Sequence, residues 1–126
     1  MAHVLYAVGN ATGSDAKLTS IEHSRDNCDI PAWSVTHTGG GDNNWIFLPD
    51  CSDSDYWPDH HITVAANDGS WTVSFWVDDD DGRMLYWSDF NGFSTEHTVP
   101  ASKDVTDCAL MIRVVNGSPV VSWAAW

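Results

Sequence analysis

The sequence predicts an all-β domain, an antiparallel β-sandwich of about nine or ten short strands built from one unit, residues 1–126. Three observations carry this. Apolar and polar residues alternate with period two over most apolar runs. Turn-forming clusters separate those runs at short intervals. No window of eleven residues keeps a clean helical period. Many short alternating strands with such spacing indicate a sandwich or barrel.

Taken in order, the expected strands are Ala2–Val8, Lys17–His23, Pro31–His37, Trp45–Leu48 and His61–Ala66. The first two are joined by a turn from Asn10 to Ser14. In the next strand Trp71, Val73, Phe75 and Val77 share one face, with Thr72, Ser74, Trp76 and Asp78 on the other. In the following one Met84, Tyr86 and Ser88 oppose Leu85, Trp87 and Asp89. Ala109–Val115 and Val120–Trp126 are apolar enough to be buried on both sides. Asn67-Asp68-Gly69-Ser70, Asp81-Gly82 and Asn116-Gly117-Ser118 read as hairpin turns, because these residues tolerate a positive φ. Two polar segments remain, Gly39–Asn44 and Pro49–His60, and long loops carry function more often than strands do.

Eighteen acidic residues face five basic ones, a formal net charge of −13. A phosphate backbone repels such a chain, which argues against nucleic-acid binding, and so does an anionic lipid surface. Neutral or zwitterionic partners stay open: glycans, lipid head groups, proteins. No run approaches the roughly 18 apolar residues of a membrane span. The opening Met1-Ala2-His3-Val4 does not read as a signal peptide, so the expectation is synthesis in the cytosol or prior removal of a leader. Three cysteines, Cys28, Cys51 and Cys108, close no disulfide framework and match no zinc spacing. Free, mostly buried thiols are expected, one disulfide plus one free thiol being the alternative. Asn10-Ala11-Thr12 is a glycosylation sequon that matters only in a secreted chain.

The run Asp78-Asp79-Asp80-Asp81-Gly82 suggests a calcium loop but lacks the ligand spacing and closing glutamate of an EF-hand. It reads as a solvated hairpin tip, and the cluster Asp50, Asp53, Asp55 and Asp59 reads likewise. Adjacent His60 and His61 would point to opposite faces of a strand and cannot share one metal. There is no Gly-x-Ser-x-Gly, no protease-like cysteine and no glycine-rich phosphate loop. The expectation is therefore a non-enzymatic protein with no cofactor and no metal site.

Eight tryptophans are the informative feature: Trp33, Trp45, Trp57, Trp71, Trp76, Trp87, Trp123 and Trp126. Trp71 and Trp123 alternate in phase with Val73 and Val121 and are assigned inward. Trp76 and Trp87 share faces with polar neighbours, and Trp57 sits beside Tyr56 in a polar loop. Outward tryptophan is costly unless it meets a sugar, a bilayer interface or a partner. Trp57, Trp76, Trp87, Phe90, Phe93 and Tyr56 are accordingly the expected ligand-binding residues, gathered in one exposed aromatic patch.

The order of features resembles the aegerolysin family and related small insecticidal crystal proteins. His3-Val4-Leu5-Tyr6-Ala7-Val8-Gly9-Asn10-Ala11-Thr12-Gly13-Ser14, followed by Lys17-Leu18-Thr19-Ser20-Ile21, looks like the family's opening strand, turn and strand. Val77–Gly82, Tyr86-Trp87 and Phe90-Asn91-Gly92-Phe93 look like its middle. The resemblance implies a β-sandwich that binds sphingolipid-containing membranes, with a separate pore-forming partner and a cytolytic or defensive role. The rival expectation is a carbohydrate-binding lectin that stacks sugars on the same tryptophans.

Overall fold

The computed structural model describes residues 4–38, 46, 48–51, 54–78, 84–89, 97–100 and 107–125. They form ten strands and two single-turn 3₁₀ segments, arranged as two sheets. The strands are β1 (Val4–Ala11), β2 (Ala16–Ser20), β3 (Cys28–Ile30), β4 (Ser34–His37), β5 (Ile62–Ala66), β6 (Thr72–Asp78), β7 (Met84–Ser88), β8 (His97–Pro100), β9 (Asp107–Val115) and β10 (Ser118–Ala125). One sheet runs β10-β9-β1-β4 and the other β3-β2-β5-β6-β7-β8. The expected all-β sandwich is what forms. Pairing is antiparallel throughout the six-stranded sheet, while β1 and β9 pair in parallel.

The inner faces supply the core. Leu5, Val8, Leu110, Ile112 and Val121 from one sheet meet Leu18, Ile30, Val64, Val73 and Phe75 from the other, all buried. Leu5 and Val8 face inward together although they differ in parity. The register between β1 and β9 shifts between Leu5 and Ala7. That irregularity at Tyr6 flips the side-chain alternation once within the strand. Trp71 is buried, and Trp123 meets Phe75 edge-on at 6.0 Å, so both inward assignments hold.

Local chemistry sets the turns. Asn116 (φ 52°) and Gly117 (φ 81°) adopt the left-handed pair that a two-residue hairpin requires. The first turn starts later than expected, because Asn10 and Ala11 belong to β1. Asn10 is buried and its amide is fully engaged. Nδ2 donates to the carbonyls of Ser14 (2.8 Å) and Ile30 (3.0 Å), and Oδ1 accepts from Thr12 N (3.1 Å) and Thr12 Oγ1 (2.7 Å). The sequon nitrogen is thus committed to the fold and has no room for a glycan.

Several strand expectations change. Lys17–His23 shortens to end at Ser20, and a 3₁₀ turn follows at Ser24–Asp26. Ile46 and Leu48 are buried without joining a strand, Trp45 and Phe47 lying outside the described residues. The expectation that β9 and β10 are covered on both faces is overturned. Met111, Arg113 and Val115 of β9 are exposed, as are Ser122 and Ala124 of β10. The cause is the layer order: among the described residues the layer packed on these strands lies on their inner side. Cys28, Cys51 and Cys108 form no disulfide. No described helix is long and apolar enough to cross a membrane.

Candidate functional site

Among the described residues the expected aromatic patch does not assemble at the surface. β6 and β7 pair with Phe75 opposite Trp87 and Trp76 opposite Tyr86. Residues of like parity therefore share a face, and Trp76 and Trp87 lie on opposite sides of the sheet. Trp87, 5% exposed, joins the main core and stacks on His97, its β8 register partner, at 3.9 Å. Trp76 is on the outer face yet has no exposed surface.

Trp76 is covered by the segment from Pro49 to His61. Asp50 forms a parallel bridge with Val77, in which Cys51 N donates to the Val77 carbonyl (2.9 Å) and Val77 N to the Pro49 carbonyl (3.0 Å). The chain then turns through Trp57–Asp59 and lays Trp57 edge-on to Trp76, ring centres 6.3 Å apart. Cys51, Trp57 and Trp76 make a second, smaller core. Stacking fixes this strap. The Trp57 and His61 rings lie 3.8 Å apart and nearly parallel, and Tyr56 and His60 repeat the arrangement at 3.5 Å. Nδ1 of His61 reaches the Trp57 carbonyl at 3.0 Å and Nδ1 of His60 the Tyr56 carbonyl at 2.8 Å, so each donates from Nδ1. Of the six expected site residues, Trp57, Trp76 and Trp87 are buried and Tyr56 is exposed. Phe90 and Phe93 lie outside the described residues.

Among the described residues the exposed tryptophan is one that sequence reasoning placed in the expected strand Pro31–His37 without assigning it a face; that strand begins only at Ser34. Trp33 is 74% exposed and has φ 55°, a left-handed conformation that disfavours bulky side chains by about 1–2 kcal/mol. Its neighbours impose that geometry. Ser34 Oγ donates to the Pro31 carbonyl (2.7 Å) and Ala32 N donates to Asp15 Oδ1 (2.9 Å), tying the turn on both sides. Pro31 is the available sequence signal for this turn, and it does not reveal which way Trp33 points. Strain held this way is a pointer toward function.

Trp33 stands at a corner between two surfaces. On one side is a cleft of about 390 Å³, lined also by Thr12, Ser14, Ser70, Trp71 and Val114. Ser14 Oγ donates to Asp68 Oδ2 (3.0 Å); Ser70 donates to Asp68 Oδ1 from Oγ (2.6 Å) and from N (2.9 Å). These bonds, Ser70's first, hold the Asp68 carboxyl below its ordinary range. Both hydroxyl protons are committed to Asp68, which leaves the serine oxygens as acceptors for a ligand's donors. On the other side is the outer face of the four-stranded sheet. Val35, Gly9 and Met111 lie in one register row there, and Ala7 and Ala109 in the next. Gly9 has a packing reason: a Cβ would lie 2.5 Å from Met111 Cε. The Met111 thioether instead lies flat across the strand. Asp107, at the end of β9, is the one acidic residue in the four strands.

Among the described residues no three His, Cys, Asp or Glu side chains converge in a metal-binding group. Asp53 and Asp79–Asp81, half of the two acidic clusters, lie outside the described residues. No family model matches the chain, and no curated protein or solved structure matches it either.

Proposed function

We propose that the chain is a non-enzymatic recognition domain for a neutral or zwitterionic membrane component, with Trp33 as its anchor. The single observation that carries this is a strained tryptophan, 74% exposed, at the margin of a largely apolar sheet face whose one strand carboxylate is Asp107, at the start of β9. Indole rings favour the bilayer interface, and a chain of net charge −13 is kept from anionic lipid. The carboxylate-poor face is where such a chain approaches a membrane with least repulsion. The resemblance to aegerolysins points to the same class of ligand.

A second reading, a lectin, is favoured by the cleft beside Trp33. An aromatic face next to hydroxyl and carboxylate acceptors matches a sugar's C–H face and its hydroxyl donors. One experiment separates the readings: binding of wild type and Trp33→Gly to neutral sphingomyelin vesicles, phosphatidylserine vesicles and a glycan array. The membrane reading expects binding to neutral vesicles alone, weakened by about 1–3 kcal/mol in the variant. The lectin reading expects the same loss on the array. Stability should hold or rise by up to about 1 kcal/mol, since glycine relieves the positive φ. Binding that is indifferent to Trp33, or absent from every surface, rejects both.

A further inference from the structure

We propose that the free edge of β10 docks a second copy of this chain, the two β10 strands pairing antiparallel about a twofold axis. Four strands end the two sheets. β3, β4 and β8 have three, four and four residues, whereas β10 has eight. Short edges are a common protection against unwanted pairing, and so are charged side chains. β10, Ser118-Pro119-Val120-Val121-Ser122-Trp123-Ala124-Ala125, is long and carries no charge.

The hairpin fixes which backbone groups are free. Val115 and Ser118 flank a two-residue turn and form its hydrogen-bonded pair, after which bonded and non-bonded pairs alternate. Pro119, which has no N–H, falls at a non-bonded position, as it must. Val121, Trp123 and Ala125 share that phase, so their N–H and C=O groups point away from β9. Among the described residues β9 is the only strand that pairs with β10.

Charge selects the occupant. A chain of net charge −13 approaches its own copy only where carboxylates are sparse, and β10 offers such a stretch. A strand adapted to a charged peptide would carry complementary charge; this one matches an uncharged strand such as itself. A β10–β10 ladder is isologous, each free N–H meeting a C=O of the other copy. It also continues the outer face of the four-stranded sheet across the axis. One strand pair buries less than the ~1,600 Å² of a standard interface, so the association depends on concentration.

The test is analytical ultracentrifugation of the full chain from roughly 1 µM to roughly 1 mM, the range of weak interfaces, paired with amide hydrogen exchange at both ends. The mass should rise from 13.9 kDa toward twice that value. The Val121, Trp123 and Ala125 amides should gain protection with concentration. Ser122→Glu, on an exposed position of β10, should shift the midpoint by about tenfold or more through like-charge contact across the axis. His37→Glu on β4, the opposite edge, should leave it unchanged. The proposal is overturned by a monomer at every concentration, by edge amides whose protection ignores concentration, or by a dimer that Ser122→Glu does not weaken.

Discussion

Truncating Trp76 to alanine tests the second core directly. The side chain is fully buried between the outer face of β6 and the strap carrying Cys51 and Trp57. An indole of this kind removes about 200 Å² from water, and at ~25 cal/mol/Å² that is about 5 kcal/mol, an upper estimate. The strap is a loop and can settle partway into the vacated space, so a loss of about 3–4 kcal/mol is expected. For a domain of this size that lowers the melting temperature by about 10–15 °C. Urea unfolding followed by far-ultraviolet circular dichroism measures the loss without relying on tryptophan emission. Trp57→Ala and the double variant complete a cycle, in which the edge-on ring pair should couple by about 0.5–1.5 kcal/mol. A loss below about 1 kcal/mol, joined to a selective loss of ligand affinity, would refute this packing and restore Trp76 to an exposed binding patch.

Asn10→Ala should cost about 2–4 kcal/mol by leaving the Ile30 carbonyl and the Thr12 N–H without their buried partner; chemical denaturation reads this. The Cys108 thiol, pushed up to about 12 from the ordinary 9.0 by burial and by Asp107, favours the folded state while protonated. Its contribution should be intact below about pH 9 and lost as pH rises toward 12, a decline that Cys108→Ala should flatten in urea titrations from neutral to alkaline pH. Native alkylation should reach half-buried Cys28 before Cys51 or Cys108, even though burial and then Asp29 and Asp26 raise Cys28 too; mass spectrometry of the labelled peptides decides this.

Most of the strands were legible because alternation and turn chemistry are local; β3 and β8, the short edges of the six-stranded sheet, were not expected. Asn116-Gly117 announces its hairpin, and Trp71 and Trp123 announce their inward faces by keeping step with valines. The site was not legible, for reasons that lie outside any short window. Trp76 follows Ser74 and precedes Asp78, so its face reads as polar; a loop some twenty residues upstream covers it. Trp87 stands beside Ser88 and Asp89, yet the register opposite Phe75 takes it inside. Trp33 gives no periodic signal, because its exposure follows from a turn held by Asp15, which is distant in sequence.

The parallel pairing of β1 with β9 constrains how the chain reaches this fold. The partners Val4 and Asp107 are separated by nearly the whole sequence, and the six-stranded sheet lies entirely between them in the chain. That sheet is assembled largely from neighbours in sequence and can organise while the chain grows. β1 can meet β4 early, but its other side stays bare until β9 has been made. The four-stranded layer is a two-stranded fragment until then, and the inner face of its companion is open to water and to other chains. Distant contacts of this kind carry a large loop-closure cost and slow the search for the native state. From this topology the capture of β9 by β1 is the expected closing step, with misassociation favoured most just before it.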